Sequence, residues 1–283
     1  MKDIATISRT NEILEEFGLK AQKKFGQNFL IDANVVDKIA RESCEKDLVS
    51  VEIGPGIGSL TQMLSRYSKH VYAHEIDENL WPVLAKTLEN EKNVEIIHGD
   101  FLEVDFNDVP YRDEEIVVCA NLPYYITTPI LFKLFESDLK IKRISVMVQK
   151  EVADRFKAQV GSKDYNALSV IVQYSYDVRL LMNISKNVFN PKPNVDSAVI
   201  VFEPKTKQVV KDEKAFFEFV KAAFKQRRKT LFNNLKELFD RDAILDMFNK
   251  CNLKETTRAQ EIDLETFIKM YEVMYETKSV CQD

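Results

Sequence analysis

Between residues 48 and 149 the chain alternates short apolar, β-branched runs with segments of helical period, and this alternation limits the possible folds more than any other feature. The runs are LVSVEI (48–53), HVYAHEI (70–76), VEIIH (94–98), EIVVCA (115–120) and RISVMVQ (143–149). SLTQMLSRY, DENLWPVLAKTLEN and TPILFKLFES between them have helical spacing, with Pro82 an irregularity near the start of the second. Strands joined through helices run parallel, and a parallel sheet is covered on both faces. The expected fold is therefore α/β, Rossmann-like, with a mostly parallel sheet.

Upstream, a short helix is expected around Thr10–Phe17, and Asp32 can cap a helix in which Val35, Val36, Ile39 and Ala40 recur on one face. From Asp164 the pattern changes. DYNALSVIVQYS has helical period, and DVRLLMNIS and DSAVIVFEP are two strands joined through VFNPKPNV, spaced as an antiparallel pair at the sheet edge. Beyond Pro204 a polar connector leads to four helical segments, AFFEFVKAAF, TLFNNLKELF, AILDMFNKC and LETFIKMYEVMYE. The expected division is an α/β domain over 1–206 and a small all-α domain over 207–283.

With 283 residues, 45% apolar and 30% charged, the chain has ordinary globular composition. No run reaches the roughly 18 apolar residues of a membrane span, and MKDIATISRTNEILEEF does not have the form of a signal peptide. Cys44, Cys119, Cys251 and Cys281 lack CxxC spacing, and only His70, His74 and His98 accompany them, which argues against a zinc site. The expectation is a reduced, cytoplasmic, metal-free protein, monomeric for want of a long apolar seam. The net charge of −5 hides local asymmetry. Lys20, Lys23 and Lys24 cluster, and KAAFKQRRKTLFNNLK (221–236) carries six basic residues and no acid.

VSVEIGPGIGSLT places Glu52, Gly54, Gly56 and Gly58 at a strand-to-helix turn, where glycines let the backbone approach a ligand. A dinucleotide fingerprint would need glycine where Ser59 stands, and no lysine follows to make a phosphate-binding loop. Glu75 ends the next strand, placed to accept ribose hydroxyls, and Gly99-Asp100-Phe101 ends the third, where Asp100 can accept from an adenine amine. Each feature alone is a common turn. In order they suit S-adenosylmethionine, which has ribose and adenine but no phosphates.

EIVVCA then runs directly into Asn121-Leu122-Pro123-Tyr124, and Pro123 ends the ladder by removing a donor. A base amine is a poor nucleophile because its lone pair is delocalised into the ring. The Asn121 side-chain oxygen and the Leu122 carbonyl can accept its two N–H groups and favour a pyramidal nitrogen, while Tyr124 offers a stacking face. Phe189, in a proline-stiffened loop, can clamp the base from the other side or simply belong to the core.

FGQNFL, EIGPGIGSLT, GDF, NLPYYITTP, FNPKPNVDSAV, FKQRRKTLFNNL and RAQEIDLETF occur in the order seen in the ribosomal RNA adenine dimethyltransferases, and the chain resembles most the bacterial small-subunit branch, the KsgA family. The resemblance covers essentially the whole chain. It implies a class I methyltransferase fold and transfer of two methyls to N6 of each of two adjacent adenosines near the 3′ end of small-subunit RNA. It also implies that Asn28, Leu30, Gly54, Gly56, Glu75, Ile76, Asp100, Phe101 and Asn121 hold the cofactor, while Asn121 to Tyr124 and Phe189 hold the adenine. His74 stands where an aliphatic residue is usual, and Gln260 where Glu is frequent. Beside such a pocket Lys23, Lys24, Arg227, Arg228 and Lys229 are expected to contact RNA phosphates, although a solvated helix face is the ordinary use of such charges. The rival readings are a large-subunit methyltransferase of the antibiotic-resistance type, N-methylation of a protein glutamine, against which Leu122 argues, and a non-catalytic assembly factor on the same fold.

Overall fold

The computed structural model describes residues 2–19, 27–122, 126–205 and 209–279, the last four of these by backbone alone. The helices and strands in chain order are α1 (Ile7–Glu16), β1 (Phe29–Leu30), α2 (Ala33–Ser43), β2 (Val49–Ile53), α3 (Ser59–Tyr67), β3 (His70–Glu75), α4 (Trp81–Thr87), β4 (Val94–His98), β5 (Glu115–Asn121) and α5 (Thr127–Phe135). They continue with β6 (Lys140–Gln149), α6 (Lys150–Arg155), α7 (Ala167–Ser175), β7 (Tyr176–Ile184), β8 (Phe189–Asn190), β9 (Ser197–Pro204), α8 (Glu213–Ala223), α9 (Leu231–Leu235), α10 (Arg241–Lys250) and α11 (Leu264–Ser279).

Local chemistry sets several of these boundaries. Thr6 and Asp32 cap α1 and α2 by accepting from first-turn amides, Asp32 as its place in the sequence leads one to expect. Pro82 lies in the first turn of α4, where a missing N–H costs nothing, so the helix begins there and not at Asp77. A 3₁₀ turn over Glu78–Leu80 precedes it.

Seven strands form one sheet in the order β4-β3-β2-β5-β6-β9-β7. The first five are mutually parallel and β9 is antiparallel to β6. The late strands thus sit at one edge as expected, with β9 inserted between β6 and β7. The segment joining them contributes β8, which pairs antiparallel with β1 through Phe29↔Asn190 and Leu30↔Phe189. On one side of the sheet an apolar cluster joins Leu30, Val36, Ile39 and Leu64 to Val117, Phe189 and Val199.

The chain divides into two compact units, Met1–Ala153 with Val178–Pro204, and Asp154–Asp177 with Lys205–Asp283. The sequence division at 206 places Asp154–Asp177 with the sheet, whereas the structure packs it with the C-terminal helices. The reason lies in two tyrosines. Tyr165 donates its hydroxyl to the Ile262 carbonyl (3.0 Å), and Tyr174 bonds Glu213 (2.8 Å) while its ring packs on Phe216 and Phe217. In the same unit α9 is only five residues long, shorter than TLFNNLKELF suggests. None of the described helices is long and apolar enough to cross a membrane.

Candidate active site

Parallel register brings the carboxyl ends of four strands level. Ile53 of β2 pairs with His74 of β3 and Ala120 of β5, and Glu75 pairs with His98 of β4. Gly54, Glu75, Gly99 and Asn121 therefore emerge along one edge, where open α/β sheets bind ligands. A cavity of about 220 Å³ opens there, and Asn28, Leu30, Gly54, Gly56, Glu75, Ile76, Asp100, Phe101, Asn121, Leu122 and Phe189 all line it. Pro123 and Tyr124 lie outside the described residues, as do Lys23 and Lys24.

Backbone geometry explains the glycines. Gly56 has φ +61°, and a Cβ there would meet the Phe29 ring at 3.3 Å. Gly54 has φ +72° with no protein atom within 4 Å of where a Cβ would stand, so the room beside it belongs to the cavity.

Glu75 is 4% exposed, and its carboxylate accepts from the Gly56 amide (3.1 Å) and the Asp77 amide (2.8 Å), one through each oxygen. Burial raises its pKa while these amides oppose the rise. Each oxygen keeps a lone pair, so the group can accept two hydroxyls. Asp100 is fixed similarly by the Leu102 amide (2.9 Å) on Oδ1. Ile76 is 46% exposed and gives the cavity an apolar wall.

Among the described residues one bond orients Asn121: its Nδ2 donates to the Asn28 carbonyl at 3.3 Å. A carbonyl only accepts, so the amide nitrogen must face Asn28 and Oδ1 is left as an acceptor. Asn28 belongs to a segment held on its other side too, since Gln27 donates to Asp77 at 2.7 Å. That gives the QNFL motif a structural reason. Phe189 is 4% exposed and built into the apolar cluster, so it is a core aromatic and a cavity wall at once.

Sequence reasoning missed some of the lining. Ile126 and Ile130 are i,i+4 neighbours at the start of α5, a spacing visible in ITTPI but ordinary for any amphipathic helix. In the sequence Glu52 stands out only as the acid before the glycines. It is 1% exposed, its Oε2 has no hydrogen-bond partner among the described residues, and burial pushes its carboxyl up to about 8, with Glu75 adding to the rise and Thr61 opposing it. Glu52 is therefore mostly neutral at pH 7. His74 is also buried and neutral: desolvation lowers it to about 4, its Nε2 meets the Tyr111 hydroxyl at 2.7 Å, and its ring stands edge-on to Phe101. The imidazole where an aliphatic residue is usual is thus accommodated by a hydroxyl partner.

Arg227, Arg228 and Lys229 are exposed on the turn between α8 and α9, and Arg227 donates to the Lys163 carbonyl. The described residues contain no group of three His, Cys, Asp or Glu placed to hold a metal.

Two hydroxyl-accepting oxygens, an apolar wall, a second acid and open glycine backbone fit the ribose, adenine and amino-acid portions of S-adenosylmethionine. Comparisons with known proteins agree. The family model described as ribosomal RNA adenine dimethylase matches residues 18–276. A protein of Bacillus cereus named ribosomal RNA small subunit methyltransferase A is 44% identical, covering 94% of this chain and 96% of its own. Its namesake in Bacillus licheniformis is 50% identical over 83% and 82% of the two chains. Among solved structures, a dimethyladenosine transferase from Plasmodium falciparum superposes with TM-score 0.73 at 25% identity, over 88% of this chain and 98% of that one. The 23S rRNA methyltransferase ErmE, at 22% identity and TM-score 0.63, shares the class I methyltransferase fold. By sequence, fold and site, the chain belongs to the ribosomal RNA adenine dimethylase family.

Proposed function

We propose that this protein transfers methyl groups from S-adenosylmethionine to N6 of two adjacent adenosines near the 3′ end of small-subunit ribosomal RNA, giving N6,N6-dimethyladenosine. The observation that carries the reading is the Asn121 amide at the cavity wall, its nitrogen tied to the Asn28 carbonyl so that Oδ1 has no partner among the described residues. When bound, the cofactor supplies an electrophilic methyl. The protein supplies position: Glu75 and Asp100 take the adenosine end, and the Asn121 oxygen with the Leu122 carbonyl orients the target amine. Among the described residues Asn121 bonds a backbone carbonyl and no base, which suits a proton that leaves only after the nitrogen has become cationic. Catalysis then rests on preorganised acceptors and proximity.

The names borne by the relatives support the small-subunit target over the large-subunit one. The neutral, oriented Asn121 argues against a mere assembly factor, which has no need of it. The proposed substrate is an assembled or partly assembled subunit, met by a monomer in the cytoplasm. Labelled transfer to unmethylated small subunits, unmethylated large subunits and the two naked RNAs tests this. Label on small subunits is expected; label confined to large-subunit RNA would overturn the assignment.

Arg227, Arg228 and Lys229 are proposed as phosphate-binding residues, with Lys23 and Lys24 as further contributors. Replacing Arg227 and Arg228 with alanine should weaken RNA binding at every sequence. The slope of log affinity against log salt should flatten by about 0.7–0.9 for each phosphate left without its arginine. An unchanged slope would return these arginines to a solvated turn.

A further inference from the structure

The helix that follows the catalytic tetrapeptide also reaches the adenosine end of the cavity. Ile126 and Ile130 line the cavity, and one turn further along α5 the half-buried Lys133 extends its ammonium to a different loop. There Nζ donates to the Leu102 carbonyl (2.8 Å) and the Val104 carbonyl (2.7 Å), and lies 4.9 Å from the centre of the Phe106 ring. Two carbonyls and an aromatic face meet the charge.

The loop so held is the one that presents Asp100 and Phe101. It is thinly supported by its own backbone. Gly99 sits at φ +136°, and the 3₁₀ turn over Phe101–Glu103 has the Glu103 amide on the Asp100 carbonyl (3.0 Å) and a longer Val104–Phe101 bond (3.4 Å). Asp100 caps the start of this turn and Lys133 takes carbonyls at its end. Phe106 adds to the grip, packing on Phe101 at 5.6 Å between ring centres.

We propose that Lys133 is a positioning residue that fastens the Asp100 loop to α5, so that the adenosine end and the methyl-accepting end of the cavity hold one geometry. The inference rests on the cofactor reading given above. Lys133 touches no ligand in this scheme; it acts through Asp100 and Phe101. Lysine suits the task because its stem reaches across while three donors serve two carbonyls.

The test measures binding of S-adenosylhomocysteine and of adenosine by calorimetry, together with kinetics and thermal melting, for the full chain and its Lys133→Met and Lys133→Arg variants. Lys133→Met keeps the stem and removes the donors. It should weaken both ligands by a similar factor of about ten- to a hundred-fold, the scale of a charged hydrogen bond removed. KM for the cofactor should rise more than kcat falls, and KM for RNA should stay put. Lys133→Arg, whose guanidinium can bridge two carbonyls, should recover most of the affinity. Equal binding by wild type and Lys133→Met would overturn this inference alone, as would a Lys133→Arg variant no better than Lys133→Met. Failure of the wild type to bind either ligand would overturn the cofactor reading and this inference with it.

Discussion

Replacing Asn121 with alanine should lower methyl transfer by about 10²–10³-fold or more, the cost of losing a preorganised polar group at the reacting atom. Cofactor affinity should stay within a few-fold, because Glu75, Asp100 and the glycine turn remain in place. Asn121 supplies its acceptor only because Nδ2 is committed to Asn28, and alanine removes the acceptor while releasing that strand-to-segment tie. Asn121→Asp keeps an acceptor but cannot donate to the Asn28 carbonyl, so its turnover should fall between wild type and Asn121→Ala. Single-turnover rates with saturating cofactor measure all three. Normal turnover in Asn121→Ala would remove the residue from the mechanism.

Glu52→Gln should make the cofactor-free protein more stable, and increasingly so as pH rises. Glu52 carries a folded-state pKa of about 8 against an ordinary 4.5, because burial penalises its charged form. Between those values the folded protein holds a proton that the unfolded chain has released, so wild-type stability falls as pH rises through the window. The loss is about 1.4 kcal/mol per pH unit where the difference is full. Glutamine keeps the shape and cannot ionise. Urea unfolding at pH 5, 6, 7 and 8 should show the two proteins nearly alike at the acid end and separated by about 3–4 kcal/mol at pH 8. Parallel curves would mean that Glu52 is ionised in the fold.

Much of this site is legible in the sequence because the features that mark it are backbone features. Short apolar, β-branched runs that end at Gly54, Glu75, Gly99 and Asn121 specify strand ends, and parallel pairing does the rest. What stays hidden depends on pairings between residues far apart in sequence. Gln27 and Asp77 are separated by 50 positions, and Asn121 and Asn28 by 93. Neither residue type announces a partner at such range. The placement of Asp154–Asp177 is hidden for the same reason: α7 has an ordinary apolar face, and the contacts of Tyr165 and Tyr174 with residues far along the chain reveal which unit it packs with. Phe189 shows a third kind of ambiguity. Proline flanks read as a loop, yet pairing of Leu30 with Phe189 carries the ring into the core beside the cavity.

The most direct measurement is the mass of the ribonuclease fragments from small-subunit RNA after exhaustive transfer by the purified protein. Two dimethylated adenosines side by side near the 3′ end are expected, with no methyl elsewhere. A product that stops at one methyl per adenine would contradict the dimethylation, and a methyl carried on another base would contradict the assignment of Asn121 and Leu122 as acceptors for an adenine amine.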